Sequence, residues 1–204
     1  MDLDLKSSKN ENGNDSSENK FSPINKLVDK MKTTNFIKRG DFTLKSGIHS
    51  SYYVDVKALI SYPEIMASLS NLLYIKIINI IRNEKLDISQ VVLCGLPYAG
   101  IPFVSYISMK HNISMILLRK EKKDYGTKKM FEGTLHEKKH LILVDDILTT
   151  GKSITESLDL FREFNIDTSA VVLIDREESD RTKTELKNLK NIYSVFKLSR
   201  FLDN

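Results

Sequence analysis

The apolar positions of this chain change their spacing along its length, and the spacing distinguishes helices from strands. Over residues 60–83 large apolar side chains recur every three or four positions, which predicts a helix. Ser61 and Glu64 at its start have the spacing of a capping box. The same helical period appears around residues 101–109 and over residues 154–161. The apolar pattern therefore predicts three helices after the N-terminal region.

Short runs in which nearly every residue is apolar lie between and after these helices. They occupy residues 91–96, 113–118, 141–144 and 170–174, and a last one lies near Tyr193. Apolar strands that alternate with helices are typical of a parallel sheet covered on both faces. We therefore predict an α/β fold with a central, mainly parallel sheet flanked by helices.

The segments that follow four of these strands are polar or rich in glycine. In chain order they read GLPYAG, RKEKKDYG, DDILTTGKS and DREE. Ligands of an open parallel sheet bind beyond the carboxyl ends of its strands. These four segments therefore predict one composite binding site at that edge of the sheet.

Composition and charge narrow the function only slightly. The chain has 204 residues, 41% of them hydrophobic, which is enough for one domain with a proper core. Its formal net charge of +4 permits an anionic ligand but does not indicate nucleic acid. The sequence has no run of about 18 uncharged apolar residues that would span a membrane. We expect a cytoplasmic protein.

The N-terminal residues 1–20 differ in composition from the rest of the chain. They are polar, rich in serine and asparagine, and lack the apolar groups that would offset the entropy of ordering. They also lack the apolar core of a signal peptide. We therefore expect a disordered tail over residues 1–20 and one folded domain over residues 21–204.

Cysteine and histidine give no sign of a metal site. The single cysteine, Cys94, lies in an apolar run, which predicts a buried and unreactive thiol. The four histidines lack metal-ligand spacing, and we expect them at the surface or in loops.

The segment 145–153, DDILTTGKS, ends like a P-loop but is not one. Asp146 stands where that motif requires its first glycine. We expect the strand to end at Val144, so that Asp145 and Asp146 project from its tip and accept hydrogen bonds from a ribose diol. Backbone N–H groups from Thr149 onward would open the next helix and bind a phosphate. A diol followed by a phosphate describes a ribose 5-phosphate; the alternative is an ordinary strand end with an Asx turn and a threonine N-cap.

Several motifs resemble those of a known family. VDDILTTGKS resembles the phosphoribosyl-diphosphate loop of the type I phosphoribosyltransferases. FTLKSGIHSSYYVDVK, CGLPYAGIP, RKEKKDYGTKKMFEG and LIDREE resemble segments of the orotate phosphoribosyltransferases, in that family's order, from Phe42 to about Glu178. The resemblance implies the type I phosphoribosyltransferase fold with a small N-terminal hood.

The resemblance also implies a reaction. The 5-phosphoribosyl group of 5-phosphoribosyl 1-diphosphate is transferred to orotate, giving orotidine 5′-phosphate and diphosphate in pyrimidine biosynthesis. An oxocarbenium-like transition state needs positioning and charge stabilisation rather than a protein nucleophile. The implied catalytic residues are Lys123, Asp145 and Asp146. The implied cofactor is Mg²⁺, which the two aspartates would reach mostly through water.

The remaining site residues are also assigned by resemblance. The donor-binding set is Lys45, Tyr98, Ala99, Arg119, Lys120, Lys123, Tyr125, Asp145, Asp146, Ile147, Leu148, Thr149, Thr150, Gly151, Lys152 and Ser153. The orotate-binding set is Lys45, Tyr53, Val54, Thr149 and Arg176. In the second set the guanidinium of Arg176 would fork onto the carboxylate of orotate. Taken singly, each of Lys45, Tyr53, Val54 and Arg176 also fits a plain surface or core position.

Four positions depart from the usual residues of the family. Tyr125 stands where bacterial members usually have histidine. Tyrosine at this position resembles the form fused into animal UMP synthases, so a general-acid histidine is not assumed. Ala99 replaces a frequent lysine, and Val54 replaces a frequent aromatic residue. Lys152 replaces a small residue and either contacts phosphate or points outward.

Two rival functions remain open at this point. One is a phosphoribosyltransferase for another base, although neutral purines need no carboxylate clamp of the kind that Lys45 and Arg176 offer. The other is a regulator on the same fold that senses phosphoribosyl diphosphate. Such a regulator needs a winged helix or a basic RNA-binding face, and the sequence shows neither.

The resemblance further implies a homodimer in which the basic segment closes over the neighbour's site. A decarboxylase barrel of about 250 residues does not fit within this chain. The expected enzyme is therefore monofunctional unless the chain is a fragment, and a separate orotidine 5′-phosphate decarboxylase is its possible protein partner. Neither nucleic acid nor a membrane is expected as a partner.

Overall fold

The computed structural model describes residues 22–43, 47, 49–119, 130–177 and 189–202. Its helices are α1 (Pro23–Lys32), α2 (Pro63–Asn83), α3 (Gly100–His111) and α4 (Lys152–Phe161). Its strands are β1 (Ile37–Thr43), β2 (His49–Val54), β3 (Val91–Gly95), β4 (Ser114–Leu118), β5 (Phe131–Glu132), β6 (His140–Leu148), β7 (Asp167–Asp175) and β8 (Ile192–Lys197). The expected tail, residues 1–20, lies outside the described residues.

The central sheet has six strands in the order β5-β4-β3-β6-β7-β8. Strands β4, β3, β6, β7 and β8 run parallel to one another, and the edge strand β5 is antiparallel to β4. All five residues of β3 are buried. Val91 and Leu93 belong to the core on one face of the sheet, whereas Val92 and Cys94 belong to the core on the other. The prediction of a mainly parallel sheet covered on both faces is confirmed.

The two faces are covered by different helices. Val28 of α1, Leu69 of α2 and Phe103 of α3 pack into the first core, and Leu158 of α4 packs into the second. Burying a side chain such as Leu69 contributes about 1.5–3 kcal/mol relative to leaving it exposed. The apolar stripe that predicted each of the three later helices is thus the stripe that faces the sheet.

The start of α2 does not use the predicted capping box. Its N-cap is Tyr62, with no side-chain hydrogen bond, and Pro63 occupies the first helical position, where its missing N–H is not needed. Glu64 instead forms an ion pair with Lys30 of α1. The capping-box prediction is therefore wrong, because tertiary contact with α1 engages the glutamate.

Helix α2 is also long and apolar enough, by length and composition alone, to cross a membrane. In this structure it packs against α3, β7 and β8. Its buried residues belong to the core cluster on that face of the sheet. The helix is apolar because it is the central helix of this fold.

An antiparallel hairpin of β1 and β2 precedes the sheet, and together with α1 it forms the small N-terminal hood. The apolar spacing did not predict this hairpin, because most residues of β1 are exposed. Phe36 and Val54 at its base are buried, and the backbone N–H of Asp55 donates to the carbonyl of Phe36 at 2.6 Å. The hairpin is thereby fixed to the core at one end.

Cysteine and histidine positions met the expectations only in part. Cys94 is fully buried, which confirms the predicted burial, and burial raises the pKa of its thiol to about 12, which disfavours the reactive thiolate. His140 lies in β6 and is 1% exposed, which contradicts the expected surface or loop position. His111, at the end of α3, stacks on Tyr74 with 3.5 Å between ring centroids.

Candidate active site

The acidic pair lies inside β6 rather than beyond its tip. Strand β6 continues to Leu148, and its ladder with β7 pairs Asp145 with Val172 and Leu148 with Asp175. The prediction that the strand ends at Val144 is wrong, because the ladder with β7 continues through Asp145 and Ile147 to Leu148. As a result Asp145 is buried, with 9% of the residue exposed.

Burial and like charge dominate the electrostatics of this pair. Burial raises the pKa of Asp145 well above its usual value, and the charge of Asp146 raises it further. Burial also raises the pKa of Asp146, although a hydrogen bond with Asp145 partly offsets that effect. The backbone N–H of Asp146 donates to Oδ1 of Asp145 at 2.9 Å. Two adjacent carboxylates, that of Asp145 buried and that of Asp146 partly buried, are an environment that favours a cation or several hydroxyl donors.

Lys57 is a charged neighbour of this pair that the sequence analysis missed. It lies in a short 3₁₀ helix, Val56–Ser61, directly after β2. Its positive charge lowers the pKa of both Asp145 and Asp146, against the effect of burial. Lys57 ends the motif YYVDVK, in which only Tyr53 and Val54 were predicted to be site residues. Its place in that motif was the signal that could have identified it.

The loop after β6 makes a sharp turn into α4. Gly151 is the N-cap, with φ at +87°, a left-handed conformation that glycine adopts without strain. Helix α4 begins at Lys152 without a side-chain cap, so neither threonine is its N-cap. The first N–H groups of a helix have no intrahelical partner and carry the positive end of its dipole. This turn therefore presents a site suited to an anion.

A pocket of about 80 Å³ lies at this turn. It is lined by Asp145, Ile147, Leu148, Thr149, Thr150, Gly151, Lys152, Ser153 and Ile154. All of these except Ile154 belong to the predicted donor-binding set, so the structure brings that part of the set together. Lys152 is exposed, and its ammonium lies 3.8 Å from the carboxylate of Glu156 one turn along the helix.

The turn after β3 lies beside β6 at the same edge of the sheet. The backbone N–H of Leu96 donates to the carbonyl of Val144 at 2.8 Å. A Cβ atom on Gly100 would lie 2.2 Å from that same carbonyl oxygen, so only glycine permits the close approach. Of the two residues predicted here, Tyr98 is 64% exposed, whereas Ala99 is buried and offers mainly its backbone.

The predicted diphosphate contacts after β4 are only partly described. The guanidinium of Arg119 pairs with the carboxylate of Glu132, with 2.9 Å between Nε and Oε1. Glu132 lies on β5, and the backbone N–H of Arg119 donates to the backbone carbonyl of Met130 at 2.8 Å. The predicted site residues Lys45, Lys120, Lys123 and Tyr125 lie outside the described residues.

Arg176, predicted to bind orotate, follows β7 directly and lies next to the acidic loop. Its backbone N–H donates to the carbonyl of Leu148 at 3.0 Å. Its Nη2 donates to Oγ of Ser50 on the hairpin at 2.9 Å, and the residue is 9% exposed. A buried guanidinium thus lies where the hairpin, β7 and the loop after β6 meet.

The other two predicted base contacts behave differently from each other. Tyr53 is partly exposed, and its ring lies 5.6 Å from that of Phe42. Val54 is 8% exposed and belongs to the main core, so little of its side chain is accessible to a base. The structure therefore leaves Tyr53 as the more accessible member of this pair.

Within the described ranges there is no group of three or more histidine, cysteine, aspartate or glutamate side chains that could hold a metal ion. A metal at this edge of the sheet would therefore depend on the two aspartates together with ligand or water oxygens. This is the mode of binding that Mg²⁺ commonly uses with phosphate substrates.

Several known proteins resemble this chain in sequence. Residues 68–204 match the phosphoribosyl transferase domain family. Orotate phosphoribosyltransferase from Methanosphaera stadtmanae is 35% identical over 168 residues, which cover 81% of this chain and 89% of the relative. Uridine 5′-monophosphate synthase from Bos taurus is 32% identical over 180 residues, 88% of this chain. This chain spans only 36% of that synthase.

A solved structure gives the same result for the fold. The crystal structure of orotate phosphoribosyltransferase from Aeropyrum pernix aligns with a TM-score of 0.67 at 27% identity. The alignment covers 86% of this chain and 96% of that one. The domain match and the relatives of similar length leave one assignment: this chain belongs to the orotate phosphoribosyltransferase family.

Proposed function

We propose that this protein transfers the 5-phosphoribosyl group of 5-phosphoribosyl 1-diphosphate to orotate, giving orotidine 5′-phosphate and diphosphate. The observation that carries the proposal is the meeting of three elements at one edge of the sheet. These are the acidic pair of β6, the turn into α4, which is suited to an anion, and the buried guanidinium of Arg176 after β7. Each suits one part of the two substrates.

The order of these elements matches the order of groups in the product. The turn at Thr149–Ser153 lies at the helix N-terminus and suits the 5-phosphate. Asp145 and Asp146 suit the ribose diol, because carboxylates accept hydrogen bonds from hydroxyls. Arg176 suits the carboxylate of orotate, and its N–H bond to Leu148 fixes it beside the ribose site.

The reaction needs no protein nucleophile. The bond between C1 of the ribose and the diphosphate oxygen breaks, and its electron pair leaves with diphosphate. The orotate ring nitrogen forms the new bond to C1 and loses its proton. Positive charge grows on the sugar in the transition state, and the negative field of Asp145 and Asp146 stabilises it there.

We propose Mg²⁺ as the cofactor, held by Asp145 and Asp146 mostly through water. The chemistry of the site fits this ion, because the pair supplies hard oxygen ligands and burial disfavours its charges more than Lys57 offsets them. When bound, the ion neutralises charge on the diphosphate group. The aspartates themselves orient the diol and the water molecules around it.

We further propose a cytoplasmic homodimer in which the basic segment containing Lys123 serves the neighbour's site, with orotidine 5′-phosphate decarboxylase as a separate partner. The homodimer with a shared site is supported by the family resemblance of the segment RKEKKDYGTKKMFEG, which contains Gly126 and Gly133. Subunit exchange between Lys123→Ala and Asp146→Asn variants tests it. If the loops act in trans, half of the dimers are mixed and about a quarter of all sites become wild type. Without recovery of activity, after mass spectrometry has confirmed exchange, the shared site is refuted.

The activity is tested by an absorbance assay with orotate, the diphosphate donor and Mg²⁺. Parallel reactions with uracil and hypoxanthine separate this function from that of a phosphoribosyltransferase for another base. The Asp146→Asn variant, purified in the same way, controls for contaminating host enzyme. Turnover of hypoxanthine but not of orotate would overturn the proposal.

A further inference from the structure

The hydroxyl of Ser50 joins two parts of the base site that lie far apart in the sequence. Ser50 is on β2 of the hairpin, and its Oγ accepts a hydrogen bond from Nη2 of Arg176 at 2.9 Å. The two residues are 126 positions apart. Within the described residues this contact links the hairpin directly to the end of β7.

The same hydroxyl is also fixed by the hairpin backbone. Ser50 Oγ donates to the carbonyl of Tyr52 at 2.9 Å and accepts from the N–H of Tyr52 at 3.2 Å. A serine hydroxyl has one donor and two acceptor sites. All three are engaged here, so the hydroxyl cannot rotate away from Arg176 without losing a backbone contact.

This network relates Arg176 to the base-binding face of the hairpin. Tyr52 precedes the predicted orotate contact Tyr53, and the Ser50 hydroxyl holds both polar backbone groups of Tyr52. The strand that carries Tyr53 and the guanidinium of Arg176 therefore share one anchoring atom. Because a hydroxyl is a neutral acceptor, it orients the guanidinium without cancelling its positive charge.

We propose that Ser50 is a positioning residue for orotate: its hydroxyl fixes the guanidinium of Arg176 relative to the hairpin, so that the arginine meets the substrate carboxylate in one orientation. This inference rests on the proposed function. Ser50 itself does not contact the reacting atoms. Its loss affects the base and leaves the donor site, which is built on β6 and α4, unchanged.

The test compares Ser50→Ala with Ser50→Thr and with the neighbouring Ser51→Ala. Ser51 is an equally small hydroxyl on the exposed side of the same strand, and it serves as the matched control. Hydrogen bonds to charged groups have an effect of about ten-fold or more on affinity. We expect Ser50→Ala to raise the KM for orotate about ten-fold, with the donor KM unchanged. We expect Ser50→Thr, which keeps the hydroxyl, and Ser51→Ala to have the wild-type KM for orotate.

A double-mutant comparison separates positioning from a general loss of structure. Orotate binding is measured by calorimetry for Arg176→Ala with and without Ser50→Ala. If Ser50 acts through Arg176, the second substitution has no further effect in this background. A further ten-fold loss there, or an equal rise in both KM values for Ser50→Ala, overturns the proposal. Ser50→Cys, which keeps the size but is a weak acceptor, replaces Ser50→Ala if the latter does not fold.

The outcome also distinguishes this inference from the proposed function. If the wild-type protein does not convert orotate, the proposed function fails. If the wild type converts orotate and Ser50→Ala has the same orotate KM, only the role of Ser50 is overturned.

Discussion

Strand β6 carries charged or ionisable groups at both ends, and the fold treats the two ends in opposite ways. At the amino end His140 is buried, with Nε2 3.1 Å from Oγ of Ser169 and Nδ1 3.8 Å from Oε2 of Glu84. Lys190 lies 2.9 Å from Glu84 and 3.6 Å from Asp167. Both signs of charge are thus present in one cluster.

The carboxyl end places two carboxylates of the same sign next to each other. Burial raises the pKa of both Asp145 and Asp146. Burial also acts on Glu84 at the amino end, but hydrogen bonds from Lys190 and Asn191 outweigh it and lower the pKa of that carboxyl. At the amino end protein groups outweigh burial and lower the pKa of Glu84, whereas at the carboxyl end the charge of Lys57 does not outweigh burial and both pKa values stay raised. The difference marks the carboxyl end as functional and the amino end as structural.

The largest effect is expected on orotate affinity, from Arg176 at the carboxyl edge of the sheet. Arg176→Ala should weaken orotate binding by roughly 2–5 kcal/mol, because the carboxylate is left unpaired in a dry site. Donor binding should change far less. Calorimetry with each substrate measures both. Unchanged orotate affinity would place the carboxylate contact on another residue and weaken the contrast between the two ends.

Substitution of the acidic pair should act on turnover rather than on donor binding. Asp145→Asn and Asp146→Asn should each lower kcat by about 100- to 1000-fold, the usual effect of removing one electrostatic stabiliser. The reason is that positive charge on the sugar grows only towards the transition state. Steady-state kinetics with varied donor give both constants. A raised donor KM with unchanged kcat would show that the pair binds the ground state only.

The same substitution should stabilise the ligand-free fold. At neutral pH a carboxyl with a raised pKa is charged at a cost, so Asp145→Asn should raise the melting temperature by about 2–4 °C. Glu84→Gln should lower it, because the pKa of Glu84 is lowered and its charge is favourable in the folded state. Thermal denaturation without substrate or Mg²⁺ compares the two variants. Destabilisation by Asp145→Asn would mean that protein contacts already satisfy the pair.

The elements that the sequence predicted best are those with a strong local signal. Apolar runs located β3, β4, β7 and β8, and the apolar stripes located α2, α3 and α4 to within a few residues. The hairpin β1–β2 and helix α1 were not predicted. The hairpin has mostly exposed positions, and its pairing depends on contacts between its two strands rather than on an apolar period.

The sequence predicted the parts of the site that lie within one local motif. It did not predict the parts that depend on contacts between segments distant in the sequence. The residues of the turn into α4 were predicted from DDILTTGKS and do line one pocket. The burial of Asp145 was not, since it depends on how far the ladder with β7 extends. The contact of Ser50 with Arg176 joins residues that no local pattern relates. The same holds for His140, which is buried because partners from α2, β7 and the segment before β8 surround it.

The smallest effect is expected from His140, as a change in the pH dependence of stability. Burial lowers the pKa of His140, although Glu84 and Asp167 oppose this and Lys190 adds to it. The unfolded chain then binds the proton first, so the free energy of unfolding falls as the pH drops below about 6.5. The acidic pair has the opposite sign, because its raised pKa values make the folded state take up protons first as the pH falls. The two ends of β6 therefore partly cancel in the wild-type profile.

A double variant, Asp145→Asn with Asp146→Asn, removes the opposing contribution and leaves that of the two histidines whose pKa is lowered by burial, His140 and His111. In that background the free energy of unfolding, measured by urea denaturation between pH 7.5 and 5.5, should fall with decreasing pH. Adding His140→Gln should reduce the slope, because glutamine does not titrate, and the remaining slope belongs to His111. Glu84 does not interfere in this range, since its pKa is lowered below its usual value and its contribution is lost only at more acidic pH. An unchanged slope in the His140→Gln variant would assign the pH dependence to another group, and the amino end would no longer be the source of acid sensitivity.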